Sequence, residues 1–160
     1  RSSDCGRSAR GDADARRGPS PALITMADTS SFANPDAPGV TFRAANAGDL
    51  PGLVRMLADD PLGARREAWA DPLPQAYAEA FAAIGRDPNN ELIVATLDDR
   101  LVGMLQLTYI PYLTYQGGWR ALIEGVRVAS HARSQGVGTA MIRWAVQRAR
   151  DRNCIMVQLT

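Results

Sequence analysis

Arg133-Ser134-Gln135-Gly136-Val137-Gly138-Thr139-Ala140 (RSQGVGTA) sets two glycines one residue apart, where a stretch free of helix breakers begins and runs to Asp151. Glycine costs backbone entropy at a helix start, so something must require the missing side chains. A helix N-terminus presents unpaired N–H groups and the positive end of the helix dipole. Without Cβ atoms at 136 and 138, an anion can rest against those donors, and successive N–H groups can form a concave nest. Arg133 adds a permanent charge to the loop. The chemistry implied is phosphate, above all pyrophosphate. The glycines alone fit a tight strand-to-helix turn equally well. Two other phosphate motifs are excluded: a Walker loop needs a lysine, and the chain has none. A dinucleotide fingerprint needs a third small residue where Met141 stands.

Working outward, residues after the loop place Met141, Ile142, Ala145, Val146 and Ala149 on one helical face. "CIMVQLT" (154–160) follows as an apolar strand, and "WRALIEGVRVAS" (119–130) precedes the loop as another. Further back, "ELIVATLDDRLVGMLQLTYI" carries two β-rich runs around Asp98-Asp99-Arg100, a hairpin signature. "VTFRAAN" (40–46) alternates like a strand. "NAGDLPGLVRMLADD" reads as a helix with Pro51 in its first turn, and "LPQAYAEAFAAIG" reads as a second helix. The order is strand, two helices, three strands, a glycine-led helix and a strand. It predicts an α/β (α+β layered) fold with a mixed, mostly antiparallel central sheet flanked by helices, its last strand–helix–strand unit parallel.

Length and composition suit one soluble domain: 160 residues, 46% hydrophobic and 22% charged. A formal net charge of +1 gives no reason to expect nucleic acid or an anionic membrane as partner. Without lysine, Schiff-base and lysine general-base chemistry drop out. Cys5, Cys154 and the single histidine, His131, make neither a disulfide framework nor a zinc site, so no metal is expected and a cytoplasmic setting is the default. Residues 1–39 are small, polar and arginine-rich, and are expected to be a disordered extension in which Met26 is a candidate start. Residues 40–160 form the expected domain.

"EGVRVASHARSQGVGTAMIRWAVQRA" resembles the Gcn5-related N-acetyltransferase (GNAT) superfamily. That superfamily carries Arg/Gln-x-x-Gly-x-Gly/Ala after a valine-rich strand. Arg133-x-x-Gly136-x-Gly138 follows Val126 and Val128 in the same way, and the element order over residues 40–160 also agrees. The resemblance implies that the loop Arg133, Ser134, Gln135, Gly136, Val137, Gly138, Thr139 holds the pyrophosphate of acetyl-coenzyme A through its backbone. It implies that Val126, Arg127 and Val128 bind the pantetheine arm where two strands part, often at a bulge, and that a backbone N–H there polarises the acetyl carbonyl. The family pattern continues beyond this point with another helix and strands, so the domain is expected to be C-terminally incomplete, with the general acid beyond Thr160.

The implied function is an N-acetyltransferase moving the acetyl group of acetyl-CoA to a primary amine by direct attack. A longer acyl-CoA donor and a non-catalytic coenzyme A-binding module are the alternatives. A small-molecule amine is the expected acceptor, and the apolar strand 154–160 offers an edge through which a homodimer could form. Glu124 is the candidate general base, on the expectation that it shares strand parity with Leu122, Val126 and Val128. Its competing reading is a sheet-face carboxylate paired with Arg120 or Arg127, and a bulge would reverse its facing. His131 reads as a solvent-facing turn residue. Tyr109, Tyr112, Tyr115 and Trp119 read either as an acceptor-pocket lining or as an aromatic rim. Asp59, Asp60 and Glu67 read as solvated helix-end charges.

Overall fold

A computed structural model describes residues 37–160. Residues 1–36 of the expected extension lie outside the described residues. Ala37, however, is buried and its carbonyl accepts from Val40 N, so packing begins three residues before the expected boundary.

Strand β1 (Thr41–Ala44) leads into a cap that the sequence specifies locally. Asn46 Oδ1 accepts from Gly48 N at 2.9 Å while Asp49 Oδ2 accepts from Asn46 N at 2.8 Å, a reciprocal capping box. Helix α1 (Leu50–Leu57) follows, with Pro51 at its tolerated start. Arg43 closes the cap with two bonds to Asp49, 2.7 and 2.8 Å. The Arg43 hydrogen bond, helped by Asn46 N–H and the Arg43 charge, holds the Asp49 carboxyl below its ordinary range against the opposing effect of burial. A carboxylate with a lowered folded pKa stabilises above its unfolded pKa and loses that contribution as pH falls through the folded value. Asp49→Asn should therefore lower stability at pH 7 by about 1 kcal/mol, comparable to a lost cap. Thermal unfolding of parent and variant should converge as pH falls through the lowered folded Asp49 pKa.

After a single turn α2 (Gly63–Arg66), which the sequence did not suggest, comes α3 (Gln75–Arg86). Strands β2 (Asn90–Leu97) and β3 (Arg100–Pro111) form the hairpin. Its turn is Asp98-Asp99 alone, at φ 48° and 61°, the left-handed pair that matches strand twist, so Arg100 already belongs to β3. A short turn α4 (Thr114–Gly117) leads to β4 (Trp119–Val128); helix α5 (Val137–Asp151) and β5 (Cys154–Leu159) follow. The sheet order is β1-β2-β3-β4-β5. The first three pairings are antiparallel and β4–β5 is parallel, as the element order predicted.

Two apolar layers follow from strand alternation. On one face Leu105, Leu107, Ala121 and Ile123 pack with Val137, Ala140, Met141, Ala145 and Ala149 of α5. On the other, Leu53 and Met56 of α1 meet Val94 and Met104. Tyr109 corrects the expectation of a rim or pocket aromatic: it is buried at 2% exposure within the α5 layer. Its hydroxyl donates to Glu91, which also takes two bonds from Arg148, while Arg152 lies over its ring at 4.0 Å. Burial first, and then the Glu91 charge, push the Tyr109 phenol well above its usual range.

Candidate functional site

The site lies along β4 from Glu124 to Val128, just past the last β4–β5 pair among the described residues. Parallel pairing runs from Trp119↔Cys154 to Ile123↔Leu159, and Thr160 N makes a last contact to Ile123 O. From Glu124 to Val128, β4 pairs with β3 alone among the described residues. Ala129 N donates to Val102 O on the β3 side, so by ladder alternation the N–H of Val128 points the other way. This stretch of β4 carries a bulge. Met104 faces Arg127 and Gln106 faces Glu124, so Leu105 alone opposes Gly125 and Val126. Gly125 sits at φ 59°, the left-handed geometry that such a bulge gives to glycine.

The bulge overturns the expected parity of Glu124. Before it, Ala121 and Ile123 face α5; after it, Val126 and Val128 do. Glu124 therefore lies on the opposite face from Val126 and Val128, on the α1 side. There it stands beside Gln106, its cross-strand partner, and on the same face as Met104 and Arg127. Its competing reading fails too. Arg127 turns to Asp60 (3.6 Å) and to Val126 O (2.9 Å), and Arg120 lies over Tyr112 at 4.9 Å. Among the described residues Glu124 makes no ion pair, and its side-chain contact is with Thr160 Oγ1 at 3.5 Å.

The loop beyond β4 passes through the single 3-10 turn Ser130–Ala132, where His131 is exposed as expected, and reaches α5 through Ser134 at φ 63° and Gly136 at φ 78°. No side chain caps α5, leaving the N–H groups of its first turn without a helical partner. The two glycines have different reasons. Gly136 holds a left-handed backbone that only glycine adopts without strain. At Gly138 a Cβ would meet only Val128 Cγ2 at 3.7 Å, an ordinary contact, so nothing in the fold requires glycine there. Val137 is buried and anchors the turn, Thr139 is exposed, and Gln135 donates to His131 O at 2.9 Å.

Arg133 is not a free loop charge. Its Nε donates to Val128 O at 3.2 Å, and one terminal nitrogen reaches Asp59 O (3.2 Å) and Asp59 Oδ2 (3.1 Å). Asp59 and Asp60 are therefore paired with the glycine loop and with β4 while still partly open to solvent. Glu67 is paired as well, with Arg66 Nε and the Tyr77 hydroxyl. Sequence reading missed the Asp59–Arg133 pair because the partners stand 74 residues apart in the chain. A cavity of about 360 Å³ lies between the β2–β3 hairpin and the glycine loop, walled by Leu97, Asp98, Arg100, Val102, His131, Ala132 and Gln135.

Among the described residues no group of three or more His, Cys, Asp or Glu could hold a metal ion, and no helix is long and apolar enough to cross a membrane. The candidate site is therefore a strand bulged at Gly125 beside an uncapped helix start. Residues 54–160, more than half of the chain, match the model of the Acetyltransferase (GNAT) family, and the chain belongs to that family. It is 28% identical over 86 residues to aminoalkylphosphonate N-acetyltransferase of Salmonella typhimurium, covering 54% of this chain and 55% of that one. It is 34% identical over 99 residues to aminoglycoside N(6')-acetyltransferase type 1 of Klebsiella aerogenes, covering 58% and 64%. The chain thus spans less than two thirds of the length of either curated relative. A solved structure, a transcriptional regulator from Bacillus halodurans C-125, is 56% identical with a TM-score of 0.74, covering 76% of this chain and 81% of that one.

Proposed function

We propose that this protein is a cytoplasmic N-acetyltransferase that moves the acetyl group of acetyl-CoA to the primary amine of a small molecule. The observation that carries the reading is the juxtaposition of the Gly125 bulge in β4 with the uncapped start of α5. Val126, Arg127 and Val128 would line the pantetheine arm through their backbone, and the first-turn N–H groups from Val137 to Thr139 would take the pyrophosphate. The N–H of Val128 points away from β3 and suits the developing oxyanion. The amine nitrogen would bond to the acetyl carbon, the C–S bond would break to release the thiolate, and the ammonium proton would pass to Glu124. Holding both substrates at one strand end contributes much of the acceleration. The two curated relatives act on an aminoalkylphosphonate and an aminoglycoside by name, which supports a small amine as acceptor.

A non-catalytic coenzyme A-binding module is the second reading, favoured by the regulator name of the 56%-identical structure. Free-thiol release with acetyl-CoA and a panel of amines separates the two. Amine-dependent release supports the enzyme; tight coenzyme A binding with no release on any amine supports the module.

A further inference from the structure

We propose that Arg133 and Asp59 are positioning residues that couple the amine side of the site to the coenzyme A side, rather than a phosphate ligand and a solvent charge. The inference rests on the acetyltransferase reading. The segment between α1 and α2 is built tightly. Asp60 Oδ1 accepts from Leu62 N (2.9 Å) and Gly63 N (2.6 Å), and a Cβ on Gly63 would come within 2.0 Å of Leu57 O. These backbone donors, led by Gly63 N–H, hold the Asp60 carboxyl below its ordinary range, with the Arg127 charge contributing. The segment therefore presents two carboxylates in fixed order, Asp60 to Arg127 and Asp59 to Arg133.

What the arginines do at their other ends gives the pairs a function. Arg127 also donates to Val126 O and Arg133 to Val128 O, both on the stretch of β4 beyond Gly125. Strand carbonyls outside a ladder need donors from elsewhere. Here the two guanidinium groups supply donors to them and fasten the 58–62 segment at the same points. Since α1 packs on the Glu124 face of the sheet, the fastened segment borders the side from which an amine would approach. The donor strand and the acceptor border thus share one set of contacts, so a change on one side is felt on the other. Coupling of this kind is reciprocal.

The alternative assigns the Arg133 side chain to phosphate, with Asp59 as a competitor to be displaced. The two assignments predict opposite effects for Asp59→Asn. If Asp59 merely competes, its removal frees Arg133 and tightens coenzyme A binding. If the pair positions the segment, Asp59→Asn raises KM for the amine about three- to fivefold, the range of a partly exposed ion pair, with kcat and coenzyme A affinity changed less than twofold. Arg133→Gln should do the same, and the double variant should be no worse than either single one. Hydrogen exchange supplies a readout independent of turnover. In the parent, coenzyme A should slow exchange across residues 58–66, and in Asp59→Asn that protection should disappear. Tighter coenzyme A binding by Asp59→Asn, additive single effects, or protection of 58–66 that survives Asp59→Asn would each overturn the coupling. A parent that binds no coenzyme A in calorimetry would sink the acetyltransferase reading and, with it, this inference. A parent that binds coenzyme A but shows no protection at 58–66 would sink the coupling alone.

Discussion

A Gly138→Leu variant should fold as well as the parent yet bind coenzyme A at least tenfold more weakly, whereas Gly138→Ala, a residue the family motif admits at this position, should bind it as the parent does. The space around Gly138 decides this. A Cβ there would touch Val128 Cγ2 at 3.7 Å, and the residue has no left-handed backbone to strain. On the protein side the methyl group fits, and alanine is about 1 kcal/mol better than glycine within a helix. Thermal stability should stay level or rise. On the ligand side, the family motif admits that methyl group, but the longer leucine side chain would stand in front of the first-turn N–H groups and hold an anion away from them. Tenfold corresponds to about 1.4 kcal/mol, less than one charge-assisted hydrogen bond can contribute. Gly136 cannot make the distinction, because at φ 78° a side chain strains the backbone by about 1–2 kcal/mol whether or not a ligand binds. Calorimetry on folded Gly138→Leu is thus the cleaner measurement. Unchanged affinity would leave both glycines as turn residues and remove the phosphate reading.

Much of this architecture was legible because local chemistry and global placement agree. The Asp98-Asp99 turn, the Asn46–Asp49 cap and the period of α5 are each written within a few neighbouring residues. The failures share a cause. Tyr109 sits next to a hairpin connection and reads as a rim aromatic, but Glu91, Arg148 and Arg152 close over it from two other elements. Asp59 reads as a helix-end charge until the chain brings Arg133 to it. Parity at Glu124 failed for a different reason. Counting by twos assumes an unbroken pleat, and Gly125, the very next residue, breaks it at φ 59°. A glycine inside a strand is a known sign of a bulge, so the signal was present in the sequence. The motif marks the loop that leads into α5, but it could not show that Gly136 and Gly138 differ, because that difference lies in one backbone angle and in the distance to Val128.

That parity reversal strengthens the expectation for Glu124. On the α5 face its carboxylate would have shared a layer with Val126 and Val128 over a buried apolar core, an expensive place for a charge. On the α1 face it is half-buried, opposite Gln106, and the two nearby arginines that could have neutralised it are engaged with Asp60 and Tyr112. A carboxylate one residue before the bulge in the donor strand is placed to take a proton from an amine at the acetyl carbon. Glu124→Gln keeps the shape and removes the proton acceptor. With acetyl-CoA and an amine that turns over, kcat/KM should fall by about 10²–10⁴, the usual contribution of a positioned general base. The deficit should be largest at pH values where the amine is mostly protonated, and should shrink as the free base becomes abundant. Coenzyme A affinity should change less than twofold, since the nest lies beyond β4. The measurement is a pH series of initial rates for parent and Glu124→Gln alongside calorimetry with coenzyme A. Parallel pH profiles with rates within threefold would reduce Glu124 to a sheet-face residue. A large loss of coenzyme A affinity would instead mean that the substitution had disturbed the bulge itself.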